Sequence, residues 1–102
     1  MQSPCDLASL HDGVTAVWRS LDVATVNGNA VRCRVMQDVA ADWHVHADSD
    51  ELFYVMSGTV CLDTEHATHA LGAGQLFVVS AGTRHRARVT GRAMLLVIDR
   101  IA

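Results

Sequence analysis

Glycine-bearing turns cut this chain at short intervals, and that punctuation limits what it can fold into more than any other feature. Asn27-Gly28-Asn29, Ser57-Gly58, Gly72-Ala73-Gly74, Ala81-Gly82 and Thr90-Gly91 each fall between short apolar runs. Glycine accepts the positive φ that tight β-turns require, so such pairs mark hairpins. No stretch carries a long helical periodicity, and the runs between turns are rich in Val, Leu and Phe. The pattern predicts strands at 14–18, 22–26, 30–36, 43–46, 51–57, 59–64, 68–71, 75–79, 84–89 and 93–99, with residues 1–12 as an irregular arm. Many short strands at this spacing give an all-β sandwich or barrel. The 102 residues, half of them hydrophobic, suffice for one core and not for two.

Composition removes several chemistries. Eight basic residues against eleven acidic ones leave a formal charge of -3, which argues against nucleic acid as a partner. All eight basic residues are arginine. A lysine Schiff base and a P-loop lysine are therefore both excluded. Cys5, Cys33 and Cys61 are odd in number and form no CxxC, so neither a disulfide framework nor a zinc ribbon is indicated. Cys33 and Cys61 fall within strands and read as small apolar residues rather than nucleophiles. The opening MQSPCDLASLHDG has neither the basic start nor the apolar run of a signal peptide. No segment reaches the roughly 18 apolar residues of a membrane span. The expectation is a soluble protein of a reducing, cytoplasmic compartment.

One constellation carries chemistry. In His44-Val45-His46 the alternation of side chains along an extended backbone sends both imidazoles to one face and Val45 to the other. The polar turn Ala47-Asp48-Ser49-Asp50 then brings Glu51 back beside them. A second segment, Gly74 to His85, ends in another histidine at a strand start. Three imidazoles and a carboxylate suit Mn, Fe, Co, Ni, Cu or Zn better than Ca or Mg. Burying these groups with no ion would leave desolvated polar atoms poorly compensated.

The two segments resemble the motifs of the cupins. The first cupin motif, HxH, three or four residues, E, six residues, G, is matched by His44, His46, Glu51 and Gly58. The glycine that usually stands six residues before the first histidine is here Asp38. The second motif, G, five residues, PxG, two residues, H, three residues, N, is matched by Gly74, Gly82 and His85, with Ser80 replacing the proline and Val89 the asparagine. Fifteen residues separate the motifs, and the resemblance covers roughly residues 30–99. The run WHVHADSDELFYVMSGTV is most similar to small single-domain cupins labelled mannose-6-phosphate-isomerase-like, a label of ancestry rather than activity.

The resemblance implies a double-stranded β-helix, or jelly roll, formed by one domain over 1–102. It also implies one divalent transition metal held by His44, His46, Glu51 and His85. A small-molecule ligand or substrate and a homodimer follow from the same likeness. Glu51 could also leave the ion and serve as a base. Phe53 either lines the pocket beside the ion or packs in the core. Two functional classes stay open: a metalloenzyme of dioxygenase, isomerase or decarboxylase type, and a barrel that binds or senses a small molecule without turnover.

The remaining polar residues receive plainer readings. His66 and His69 fall in a predicted solvated loop, and His11 in a solvated arm. Arg84, Arg86 and Arg88 alternate with His85, so they share the outer face and read as a charged solvent surface. Trp43, before the first histidine, is expected to face away from the metal and to pack.

Overall fold

In a computed structural model, which describes residues 3–101, the chain folds into seven antiparallel strands. They are β1 (Trp18–Val26), β2 (Asn29–Ala40), β3 (Glu51–Ser57), β4 (Val60–Thr64), β5 (Thr68–Leu71), β6 (Leu76–Val79) and β7 (His85–Arg100). The spatial order is β1-β2-β7-β3-β6, with β4 pairing β5 and β7. Strand β7 serves both walls of the barrel. Its first part pairs with β4 and with Val39 and Ala40 of β2, and its second part pairs with β2 and β3. This is the expected jelly roll.

Several predicted boundaries merge. Residues 14–18 and 22–26 are not two strands, because pairing with β2 begins at Trp18 and runs to Val26 through a bulge between Asp22 and Ala24. Residues 84–89 and 93–99 are one bent strand rather than two. The Thr90-Gly91 turn signal marks the bend, where Gly91 has φ 79. Residues 43–46 form no strand; only His44 makes a bridge, to His85.

Asp38 explains one departure from the cupin motif. It stands where a glycine is usual and adopts φ 48, the left-handed region that glycine enters freely. Its carboxylate accepts a hydrogen bond from the Gly91 N–H at 2.7 Å. That bond ties the β2 register shift between Gln37 and Val39 to the bend in β7. Aspartate tolerates this backbone better than most residues because its side chain bonds locally.

The core follows the alternation. Glu51, Phe53 and Val55 are buried on β3, and His85, Ala87, Val89, Ala93, Leu95 and Val97 on β7. Met36, Val60, Leu62, Leu71 and Val79 complete it. Val89, which replaces the motif asparagine, is therefore a packing residue.

Two histidines differ from expectation. His11 is buried at 7% exposure, and its Nε2 lies 3.1 Å from the Cys33 carbonyl. The arm containing the short 3-10 turn Leu7–Ser9 thus lies against the sheet rather than in solvent. His69 belongs to β5, is half-buried and stacks on Phe77 with ring centroids 4.4 Å apart. His66 is exposed, as expected.

Candidate metal centre

The two motifs are clipped together through their backbones. His44 N–H donates to the His85 carbonyl and His85 N–H to the His44 carbonyl, both at 2.9 Å. The Gly82 N–H donates to the His46 carbonyl at 2.8 Å. These bonds hold the HxH segment extended without a strand. Val45 accordingly points out, 53% exposed, while His44 and His46 turn inward. Glu51 and His85 each open a strand beside them, at 5% and 1% exposure.

The four side chains converge. The Nε2 atoms of His85, His44 and His46 lie 2.6, 3.3 and 3.5 Å from one oxygen, Glu51 Oε1. The four candidate ligand atoms all lie within 4.8 Å of one another. His44 Nδ1 lies 3.1 Å from the Asp42 carbonyl and His85 Nδ1 lies 2.8 Å from the Thr83 carbonyl. A carbonyl only accepts, so both Nδ1 atoms carry protons. In a neutral ring the lone pair then sits on Nε2 and faces a carboxylate, which is repulsive unless a cation lies between. This is the tautomer a metal site needs, with the outer nitrogen anchored and the inner one free to ligate.

His46 adds a second sign. Its Nε2 is buried and has no hydrogen-bond partner, the 3.5 Å approach to Glu51 lacking the required geometry. A buried polar atom without a partner costs free energy, and an ion in the cluster would satisfy it. The residues present therefore fit a transition metal.

Without an ion, protons do part of this work. Burial acts to lift the Glu51 carboxyl, but hydrogen bonds from His85 and His44 and the nearness of His44 and His46 hold it below the usual carboxylate range. Burial pulls the His85 imidazole down. The Glu51 hydrogen bond, the Thr83 carbonyl and the carboxylate charge outweigh that and raise it above the ordinary histidine value.

Phe53 resolves toward the core. It is 1% exposed and belongs to the apolar cluster, with its ring 5.9 Å from that of His85 in an edge arrangement. It supports the histidine from below. Trp43 is 37% exposed on the outside, with the Arg86 and Arg84 guanidinium carbons 5.0 and 5.8 Å from its ring centroid. Arg86 and Arg88 both bond the Asp63 carboxylate at 2.9 Å. The expected solvent face is thus partly neutralised by a buried aspartate.

Sequence reasoning missed the mouth of the site. A cavity of about 380 Å³ opens beside the cluster, lined by Trp18, Arg34, Ala40, Ala41, Asp42, His44 and Glu51. Arg34 faces inward because it pairs with the buried Leu95 of β7. An arginine at an inward position of an apolar strand was the available signal, but it became visible only once the β2–β7 register was known.

A jelly roll whose two motifs converge on a three-histidine, one-carboxylate cluster defines the cupin class. The cupin domain model matches residues 31–99, and the chain belongs to that family. A curated relative, the uncharacterized protein YdbB of Bacillus subtilis (strain 168), is 32% identical over 95 residues, covering 92% of this chain and 83% of its own. A cupin-2 domain containing protein from Shewanella frigidimarina NCIMB 400 superposes with a TM-score of 0.86 at 23% identity, over 95% of this chain and 94% of that one. KdgF from Halomonas sp. gives 0.74 at 20% identity, over 87% and 84%. These two structural likenesses concern the fold.

Proposed function

We propose that this cupin binds one divalent transition metal (Mn, Fe, Co, Ni, Cu or Zn) through His44, His46, Glu51 and His85, and acts on a small molecule as a metalloenzyme. The convergence of three imidazoles on one carboxylate oxygen, with two Nδ1 protons already committed to carbonyls, carries the reading. When bound, the ion would polarise a substrate oxygen or activate dioxygen, as dioxygenase, isomerase or decarboxylase chemistry requires. The chain's part is to present neutral imidazoles, to hold Glu51 as a ligand rather than a free base, and to offer the cavity beside His44 to the ligand.

The proposal extends to a homodimer in a reducing, cytoplasmic compartment. The sheet β1-β2-β7-β3-β6 turns Leu52, Tyr54, Leu76, Val78, Leu96 and Ile98 to one outer face, with Leu76 and Val78 57% and 45% exposed. An apolar face of that kind on a small barrel gains burial by pairing. Cys5, Cys33 and Cys61 are all free. Among the described residues, no helix is long and apolar enough to cross a membrane.

The test is metal titration of the purified protein beside two variants. His85→Ala removes a ligand and should weaken Mn, Fe or Zn binding by more than the roughly 10-to-100-fold of outer-sphere changes. Thr83→Ala keeps the carbonyl that holds His85 and should bind as the unaltered protein does. Equal affinity in all three would refute the four-ligand site. Turnover of a small molecule by the loaded protein separates the enzyme from a barrel that only binds.

A further inference from the structure

Arg34 is set apart from the paired arginines of the sheet. Arg32 bonds Asp22 and Asp99, Arg86 and Arg88 bond Asp63, and Arg92 bonds Gln37 and the carbonyls of Val14 and Ala16. Arg34 makes no hydrogen bond or ion pair among the described residues, and its Nε is buried without a partner. Its guanidinium lies 4.6 Å over the Trp18 ring and on the wall of the same cavity as His44 and Glu51. A guanidinium stays charged and offers five donors in a fixed fork. A buried charge without a counter-charge is costly, and Glu51, the carboxylate beside it, is taken up by three imidazoles.

We infer that Arg34 is the anion-binding residue of the cavity, and that the ligand held beside the metal cluster is a small molecule bearing one carboxylate. The inference rests on the metal reading above. A metal in the cluster would cancel the Glu51 charge and leave Arg34 facing the cavity with no counter-ion. A carboxylate supplies one negative charge and two coplanar oxygens, which the guanidinium fork matches. A phosphate dianion fits less well, because Asp42, which the metal does not neutralise, lines the same wall and repels a second charge. The cavity, about 380 Å³, lies within the roughly 300–1,000 Å³ of small-molecule sites.

The experiment is calorimetric titration of Mn-loaded and chelator-treated protein with pyruvate, benzoate, benzamide and inorganic phosphate. Pyruvate and benzoate should bind, and benzamide, the neutral isostere of benzoate, should not. Arg34→Met keeps an unbranched apolar stem and removes the charged guanidinium. It should weaken carboxylate binding by roughly 30-fold or more while leaving Mn affinity unchanged. Its melting temperature should be unchanged or higher, since an unpaired buried charge has been removed. Equal binding of benzamide and benzoate, undiminished carboxylate binding by Arg34→Met, or tighter binding of phosphate than of either carboxylate would each overturn the assignment. So would a marked fall in the variant's melting temperature, which would give Arg34 a structural role instead. Failure of the unaltered protein to bind Mn would instead overturn the metal reading, and the chelator-treated titration would still test Arg34.

Discussion

Replacing Gly58 with alanine separates two costs that the motif glycine avoids. Gly58 ends the first cupin motif at φ 78, in the turn that leads from β3 to β4. The two strands do not pair with each other, so the expected hairpin is instead a crossing between strands that both pair with β7. A Cβ there would lie 2.4 Å from the Arg92 carbonyl oxygen, 2.9 Å from Ala93 Cα and 3.0 Å from Ala93 Cβ. The left-handed backbone alone costs about 1–2 kcal/mol for a residue with a Cβ. The contact adds about 1–3 kcal/mol of overpacking. The upper part of that range is expected, because the nearest atoms are backbone and cannot rotate away, and because Ala93 is itself only 1% exposed. Gly28 and Gly74 provide the comparison. They have φ 76 and φ 85, and a Cβ on either meets nothing within 4 Å. Urea unfolding followed by tryptophan fluorescence should therefore show Gly58→Ala to be less stable than Gly28→Ala or Gly74→Ala by at least about 1 kcal/mol. If the three variants lose the same stability, the close approach of β7 to Gly58 is not what demands glycine there.

Stability should depend on pH in opposite ways with and without metal. The raised His85 value contributes stability that is complete below about pH 6.5 and is lost as pH rises through it. The depressed Glu51 value contributes stability that is complete above about pH 4.3 and is lost as pH falls through it. Chelated protein should therefore melt highest between those limits, whereas Mn-loaded protein should gain as pH rises through neutrality, since protons compete with the ion. A chelated protein whose melting temperature climbs through the neutral range would contradict this. Asp63→Ala should cost about 2 kcal/mol, below the usual loss for a broken buried pair because Arg86 and Arg88 are 30% and 38% exposed and regain water; an unchanged urea midpoint would show the cluster to be neutral for stability. Val78→Lys on the apolar outer face should shift light-scattering mass from dimer to monomer, and a monomeric unaltered protein would end the dimer proposal.

Alternation and residue type made the HxH face and the nearby Glu51 legible, since both are local facts. That His85 joins them is what the resemblance to the second cupin motif implied, and the structure brings it there through the bridge between His44 and His85. The same alternation predicted the outward arginines of β7, and it accounts for the inward set of β3, Glu51, Phe53 and Val55. Other features depend on which strands pair, and pairing joins residues far apart in the chain. Arg34 points into the cavity because β2 meets β7 in the register that sets it against Leu95. His11 is buried because the arm meets the carbonyl of Cys33. His69 leaves solvent because β5 lies where Phe77 can stack on it. Asp38 takes a glycine's backbone because the bend of β7 offers it the Gly91 N–H. A side chain's face follows from its own neighbours in sequence. What that face meets follows from long-range register, which one strand's pattern does not contain.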